Sequence, residues 1–190
     1  TRMGKDVAAK VAARLGKSLL ELGGNNAVII TPDANLDIAL RAAVFGAIGT
    51  CGQRCTSTRR LIVHKDLYDT IKERLVKAYS QVRIGNPLDA NNHMGPLIDT
   101  DAVNQYLNAL SAAKEQGGKA LIEGGKIEGK GFESGCYVKP AIIEIDHSAD
   151  IVQNETFAPI LYLIRYSGNI ENAIEIQNEV RQGLSSSIIS

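Results

Sequence analysis

The chain has 190 residues, enough to bury a real core without a disulfide or metal staple. Its 21 lysines and arginines balance 21 aspartates and glutamates, so no net field gathers nucleic acid or anionic lipid. Three cysteines make no disulfide framework, and neither a secretory leader nor a long apolar run is present, so a reducing, cytoplasmic compartment is expected.

In chain order, Val7, Val11, Leu15 and Leu19 lie four apart and predict a helix from about Gly4 to Leu20, ended by Gly23-Gly24. "NAVIITP" reads as a buried strand. A second helix is expected from Asn35 to Ile48, with Leu36, Ala39, Leu40, Ala43, Val44 and Ala47 as its apolar stripe. It leads into the small-residue loop "TCGQRCTST" and the strand "RLIVH". "DLYDTIKERLVKAYSQV" follows as an amphipathic helix, and the glycine, proline and asparagine of "GNPLDANNHMGP" predict a long connection.

Thr100 is expected to cap a helix that runs to Gln116 and stops at Gly117-Gly118. Strands in "KALIEGG", "GCYVKPAIIEID" and "PILYLIRY", a helix over "IENAIEIQNEV" and a last strand in "LSSSIIS" complete the alternation. Strands that are apolar throughout, alternating with helices, imply an α/β fold: a mostly parallel sheet with helices on both faces. The chain opens directly into a helix at Thr1 and stops inside a strand. It therefore reads as a piece of a longer protein, which leaves room for a lost targeting segment.

Three readings are open for Cys55. A thiol attacks as thiolate and needs donors, a cation or a base nearby, together with exposure. Gly52, Gln53, Arg54, Thr56, Ser57 and Thr58 supply such a setting. Alternatively Cys55 fills a core as a small apolar residue, or it pairs with Cys51, although CxxxC lacks the CxxC redox spacing. No metal site is expected, because His64, His93 and His147 form no ligand pair with a neighbour.

Glu21 is a lone carboxylate among Leu19, Leu20 and Leu22. Partial desolvation there would raise its pKa towards that of a general base. Its plainer reading is a helix-end charge paired with Lys17 one turn earlier. "NETFAPI" places Glu155 and Phe157 at the entry to a strand, a weak signal by itself.

Taken together, "LELGGNN", "GQRC" and "ETFAPI" resemble the NAD(P)-dependent aldehyde dehydrogenase superfamily over nearly the whole chain. "LGKSLLELGGNNAVII", "GTCGQRCTSTRRL", "RIGNPLD" and "NEVRQGLSSSI" look most like its antiquitin branch, which oxidises α-aminoadipic semialdehyde in lysine breakdown. The resemblance implies that Cys55 is the nucleophile, forming a thiohemiacetal and then a thioester. It implies that Glu21 is the base that activates water, and that the Cys55 backbone amide is one donor to the oxyanion.

For the cofactor, NAD or NADP, it implies that Glu155 binds the nicotinamide ribose, Phe157 packs near the nicotinamide and Leu22 faces its carboxamide side. Thr1 and Gly4 match the end of a phosphate-binding turn. Arg54 would hold the distant carboxylate of the aldehyde substrate, with Thr56 lining the same pocket. Residues 1–22 would then be the last helix of an otherwise missing cofactor-binding domain, and residues 23–190 a catalytic domain truncated at its end. The parent would be a homotetramer, and the isolated piece inactive. Ala158 stands where many relatives have glycine.

Overall fold

The computed structural model describes all 190 residues. Helix α1 spans Arg2–Ala13, and strand β1 (Asn26–Ile30) follows an irregular stretch. Helix α2 (Leu36–Ile48) then precedes strand β2 (Thr58–His64), helix α3 (Lys65–Tyr79) and helix α4 (Thr100–Glu115). Strands β3 (Lys119–Lys126), β4 (Val138–Glu144) and β5 (Ile160–Tyr166), helix α5 (Ile170–Asn178) and strand β6 (Ser186–Ile189) complete the chain.

All six strands join one sheet in the order β3-β4-β5-β2-β1-β6. Only β3 runs antiparallel to its neighbour; the remaining pairs are parallel, as uniformly apolar strands require. The step from β1 through α2 to β2 runs one way along the sheet, and the step from β5 through α5 to β6 runs the other. Right-handed crossovers in opposite directions put α2 and α5 on opposite faces, which gives the expected layered arrangement.

Strand β2 lies inside the sheet and all seven of its residues are buried, including Arg59 and Arg60. Successive residues of a strand face opposite ways. The Arg60 guanidinium reaches the carbonyls of Asn25 (2.7 Å) and Ile176 (3.2 Å), tying the approach to β1 to the end of α5. Burial pushes Arg60 down to about 10. Arg59 points instead towards the loops at the start of the strands.

Two local expectations are corrected. The first helix ends at Ala13, not near Leu20, because the chain turns at Leu15 into a left-handed conformation (φ 58°) and runs irregularly to Asn25. Leu15 and Leu19 are therefore 95 % and 84 % exposed, not part of a helical stripe. The cap of α4 is Asp99, whose carboxylate accepts from Ala102 N at 2.8 Å, rather than Thr100. Asn35 caps α2 in the same manner, through Asp37 N and Ile38 N.

Three loops converge at one end of the sheet. The segments before β1, β2 and β5 hold Leu22 to Asn25, Gly49 to Ser57 and Asn154 to Pro159. Since β5, β2 and β1 are adjacent and parallel, their preceding loops must lie side by side.

Candidate active site

The loop before β2 begins with a tight turn over Gly49–Gly52 in which Thr50 (φ 55°), Cys51 (φ 54°) and Gly52 (φ 67°) are all left-handed. Such a run costs free energy at the two non-glycine residues and persists only where the surroundings hold it. Gly52 has no substitute, because a Cβ there would lie 2.5 Å from the Ala158 carbonyl. Beyond the turn the Gln53 side chain donates to Pro96 O (3.2 Å) and accepts from Ile98 N (2.8 Å), and Arg54 N donates to Ser57 Oγ (3.1 Å).

The two cysteines of this loop are separated by environment. Cys51 is buried in the core, and burial pushes its thiol up to about 12, so it is protonated at neutral pH. Cys55 is partly exposed and unbridged. The core-filling role considered for Cys55 falls to Cys51. The Cys55 and Thr56 amides donate to no acceptor within the protein, and Thr56 is exposed.

The loop before β1 presses on Cys55 from one side. Asn26 Nδ2 donates to the carbonyls of Cys55 (2.7 Å) and Ser57 (2.8 Å), and a Cβ on Gly24 would stand 2.4 Å from Cys55 O. The loop before β5 closes the other side. Glu155 Oε1 accepts from Gly24 N at 3.2 Å and faces Arg59 at 3.5 Å. A Cβ on Gly23 would fall 1.9 Å from Glu155 Oε2, an oxygen that makes no hydrogen bond to the protein. Phe157 is exposed beneath the Arg59 guanidinium, 5.3 Å from cation to ring centre.

The structure thus brings together Cys55, Glu155, Phe157 and, through the glycine pair, the chain at Leu22. The other expected residues make no hydrogen bond or ion pair to Cys55, Glu155 or Phe157. Glu21 is exposed and makes neither a hydrogen bond nor an ion pair, with Lys17 or any other group. The desolvation expected from its leucine neighbours is absent, because the segment is irregular instead of helical and Leu19 and Leu20 face outwards. Arg54 donates to Phe45 O (3.2 Å) and stacks on the Phe45 ring (4.9 Å). It lines a cleft of about 670 Å³ between α2 and the end of α3 that Cys55 does not line. Thr1 precedes α1 without a side-chain capping bond, and Gly4 is buried against Leu22, where a Cβ would lie 2.5 Å from Leu22 Cδ2.

Arg59 and Asn26 were not singled out from the sequence, though Asn26 ties β1 to the Cys55 loop and Arg59 ties that loop to the one before β5. The only available signal was a charged pair and an amide at the starts of strands that otherwise read as core. No group of three or more histidine, cysteine or acidic side chains is placed to hold a metal ion.

The whole chain, residues 1–190, matches the model of the aldehyde dehydrogenase family. The chain belongs to the aldehyde dehydrogenase family. Among relatives of this family, α-aminoadipic semialdehyde dehydrogenase of Bos taurus is 48 % identical over 191 residues, covering all of this chain and 34 % of the relative. Aldehyde dehydrogenase family 7 member B4 of Arabidopsis thaliana is 44 % identical over 190 residues, covering the whole chain and 36 % of the relative. The solved betaine aldehyde dehydrogenase of Staphylococcus aureus in complex with NAD+ superposes with a TM-score of 0.94 at 29 % identity, over the whole chain and 38 % of that structure. The chain therefore spans about a third of the length of the curated aldehyde dehydrogenases it matches. No helix in it is long and apolar enough to cross a membrane.

Proposed function

We propose that this chain is the catalytic core of an NAD-dependent aldehyde dehydrogenase of the antiquitin branch, which oxidises α-aminoadipic semialdehyde to the dicarboxylate. The observation that carries the reading is the half-exposed Cys55, free of disulfide and fixed by Asn26, beside the loop of Glu155 and Phe157. Identity of 48 % to an α-aminoadipic semialdehyde dehydrogenase over the whole chain supports the substrate class.

The residues present fit the nicotinamide end of NAD. Glu155 keeps Oε2 free to accept from ribose hydroxyls while Oε1 is held by Gly24 N, and the Phe157 ring offers an exposed apolar face beside it. Bound there, NAD supplies the hydride acceptor for the reaction. Thr1 and Gly4, at the start of α1, would meet the phosphates and Leu22 the carboxamide; NADP is a possible substitute.

The Cys55 thiolate adds to the aldehyde carbon, forming a C–S bond while the carbonyl oxygen becomes an oxyanion. The uncommitted amide of Cys55 is a donor to that oxygen. Loss of hydride from the carbon leaves a thioester on Cys55. Glu21, open to solvent, takes a proton from water. The hydroxide oxygen then bonds to the thioester carbon, the C–S bond breaks to restore the thiolate, and the acid product gives its proton to solvent and leaves as the carboxylate. Arg54, directly before Cys55, is the cation for the substrate's distant carboxylate, and Thr56, directly after it, is exposed.

Residues 1–22 belong, in this reading, with a cofactor-binding domain. Gly4 is the one buried residue of α1, and Met3, Leu15 and Leu19 stand exposed where another domain would cover them. Residues 23–190 are the catalytic domain. The parent is a cytoplasmic homotetramer; the three free cysteines of this chain suit a reducing compartment.

The test is the full-length enzyme with Cys55→Ala, assayed for NAD reduction with α-aminoadipic semialdehyde and with betaine aldehyde. Loss of turnover with retained NAD binding supports the nucleophile. Surviving turnover sinks it, and a preference for betaine aldehyde in the unmodified enzyme sinks the substrate class.

A further inference from the structure

We propose that Arg59 is a positioning residue that locks the nucleophile loop to the cofactor-facing loop, so that Cys55 and the Glu155–Phe157 segment keep one relative position. The inference rests on the reading above, since it takes those two loops as the reacting and the cofactor sides of one site.

The Arg59 side chain is only 2 % exposed, and its two terminal nitrogens are divided between the loops. Nη1 donates to Gly52 O at 2.8 Å on the nucleophile side and to Ala158 O at 3.2 Å on the cofactor side. Nη2 donates to Arg54 O at 3.2 Å, directly before Cys55, and faces Glu155 Oε1 at 3.5 Å. The guanidinium plane also lies over the Phe157 ring. One rigid fork thus holds two points on each loop and covers an aromatic face, which a point-charge ammonium cannot reproduce.

Energetics favour a positioning role over a purely stabilising one. Taking a guanidinium out of water is costly, and burial lowers the Arg59 pKa against the pull of Glu155. A well-packed apolar residue of similar volume is often at least as stable as a buried ion pair, so net stability is a poor explanation of this one. What the fork supplies is geometry. Its acceptors are backbone carbonyls of strained or irregular segments that no strand ladder holds. Arg60, the next residue, faces the other way and ties Asn25 to α5, so the two adjacent arginines have separate tasks.

The experiment uses the full-length enzyme with Arg59→Lys and Arg59→Gln, and Lys72→Met as a control that breaks the distant Lys72–Glu144 pair. Four quantities are read: Tm, the Kd of NAD by calorimetry, kcat with KM for NAD, and the rate of Cys55 alkylation by iodoacetamide. The expected result for Arg59→Lys is an NAD Kd raised about fivefold or more, kcat lowered about tenfold or more and an altered alkylation rate, with the fold retained. Lys72→Met is expected to move Tm alone. If every Arg59 variant that folds keeps Kd and kcat within about twofold of the unmodified enzyme while Tm falls, the residue is structural and the proposal is overturned. An unmodified enzyme that neither binds NAD nor oxidises an aldehyde overturns the underlying reading, and this inference falls with it.

Discussion

The side-chain amide of Asn26 donates to the carbonyl of Cys55 at 2.7 Å and to that of Ser57 at 2.8 Å, so one nitrogen at the start of β1 fixes both ends of the turn that presents the thiol. Asn26→Asp puts an acceptor where two carbonyls need a donor. The expected outcome is a fall in kcat of about a hundredfold from misplacement of the reacting group. A loss of about 1–3 kcal/mol in stability accompanies it. Steady-state kinetics and urea unfolding of the full-length enzyme check both, and unchanged kcat would show that Asn26 does not place the nucleophile.

Gly23 is expected to tolerate no side chain. In Gly23→Ala the new Cβ occupies the position of Glu155 Oε2, 1.9 Å away, and the carboxylate must leave its place beside Gly24 N. NAD affinity should drop about tenfold or more, the equivalent of about 1.4 kcal/mol. Calorimetry with NAD measures it, and an unaltered Kd would show that Glu155 does not bind the cofactor.

Cys51 ties stability to alkaline pH. Its thiol titrates at about 12 when folded and near the ordinary value of 9.0 when unfolded. Between those values the unfolded chain has given up a proton that the native chain keeps, so the slope of stability against pH is negative there. Stability from this source is complete below pH 9 and is lost as pH rises towards 12, to an extent of about 4 kcal/mol at most, at about 1.4 kcal/mol per unit. The tyrosines Tyr68, Tyr79 and Tyr106 are raised by burial and act in the same direction at higher pH. Urea midpoints at pH 8 and pH 10.5 for the unmodified protein and for Cys51→Ala should converge if the thiol is responsible.

Tyr106 joins α4 to the β3–β4 hairpin. Its hydroxyl donates to Lys139 O and accepts from Gly125 N at 2.9 Å, beneath Gly124, where a Cβ would fall 2.1 Å from the same oxygen. Tyr106→Phe leaves both backbone groups without their partner and should cost about 1–3 kcal/mol, with kcat and NAD affinity unchanged. Denaturant unfolding beside kinetics checks this split.

The isolated 190-residue chain is expected to show no NAD-dependent turnover. In the proposed reading it carries residues for the nicotinamide end of the cofactor, Glu155, Phe157 and Leu22, but about a third of the relatives' length, too little to fix a reactive geometry. Activity of the pure chain, measured by NAD reduction, would show that the remaining two thirds of the relatives' length is not needed for chemistry.

Much of the architecture was legible in residue order. β1, α2, β2, α3, β5 and α5 lie where runs of apolar residues and their helical spacing put them, because burial on a strand or a stripe leaves a periodic mark. The end of α1 was not legible: Leu15 and Leu19 continue the four-residue spacing past Ala13, yet nothing buries them, and periodicity without a packing partner does not keep a helix. That error carried over to Glu21, read as desolvated from neighbours that in fact face outwards. Thr100 and Asp99 are both fair caps, and one residue of register decided between them. Cys55, Glu155 and Phe157 stood out by motif, and the structure sets their loops side by side. Arg59 and Asn26 escaped because their work is done across 99 and 29 positions of sequence.

That separation also has a consequence for synthesis. Cys55 and Arg59 leave the ribosome well before Ala158, and at about 5–20 residues per second the interval is roughly 5–20 s. Throughout it the nascent thiol is chemically present, while the carbonyls, carboxylate and ring that finish its surroundings have yet to be made. The time a newborn chain spends with an unguarded cysteine is therefore set by where β5 falls in the order of translation, and a circular permutant that makes β5 before β2 would shorten it.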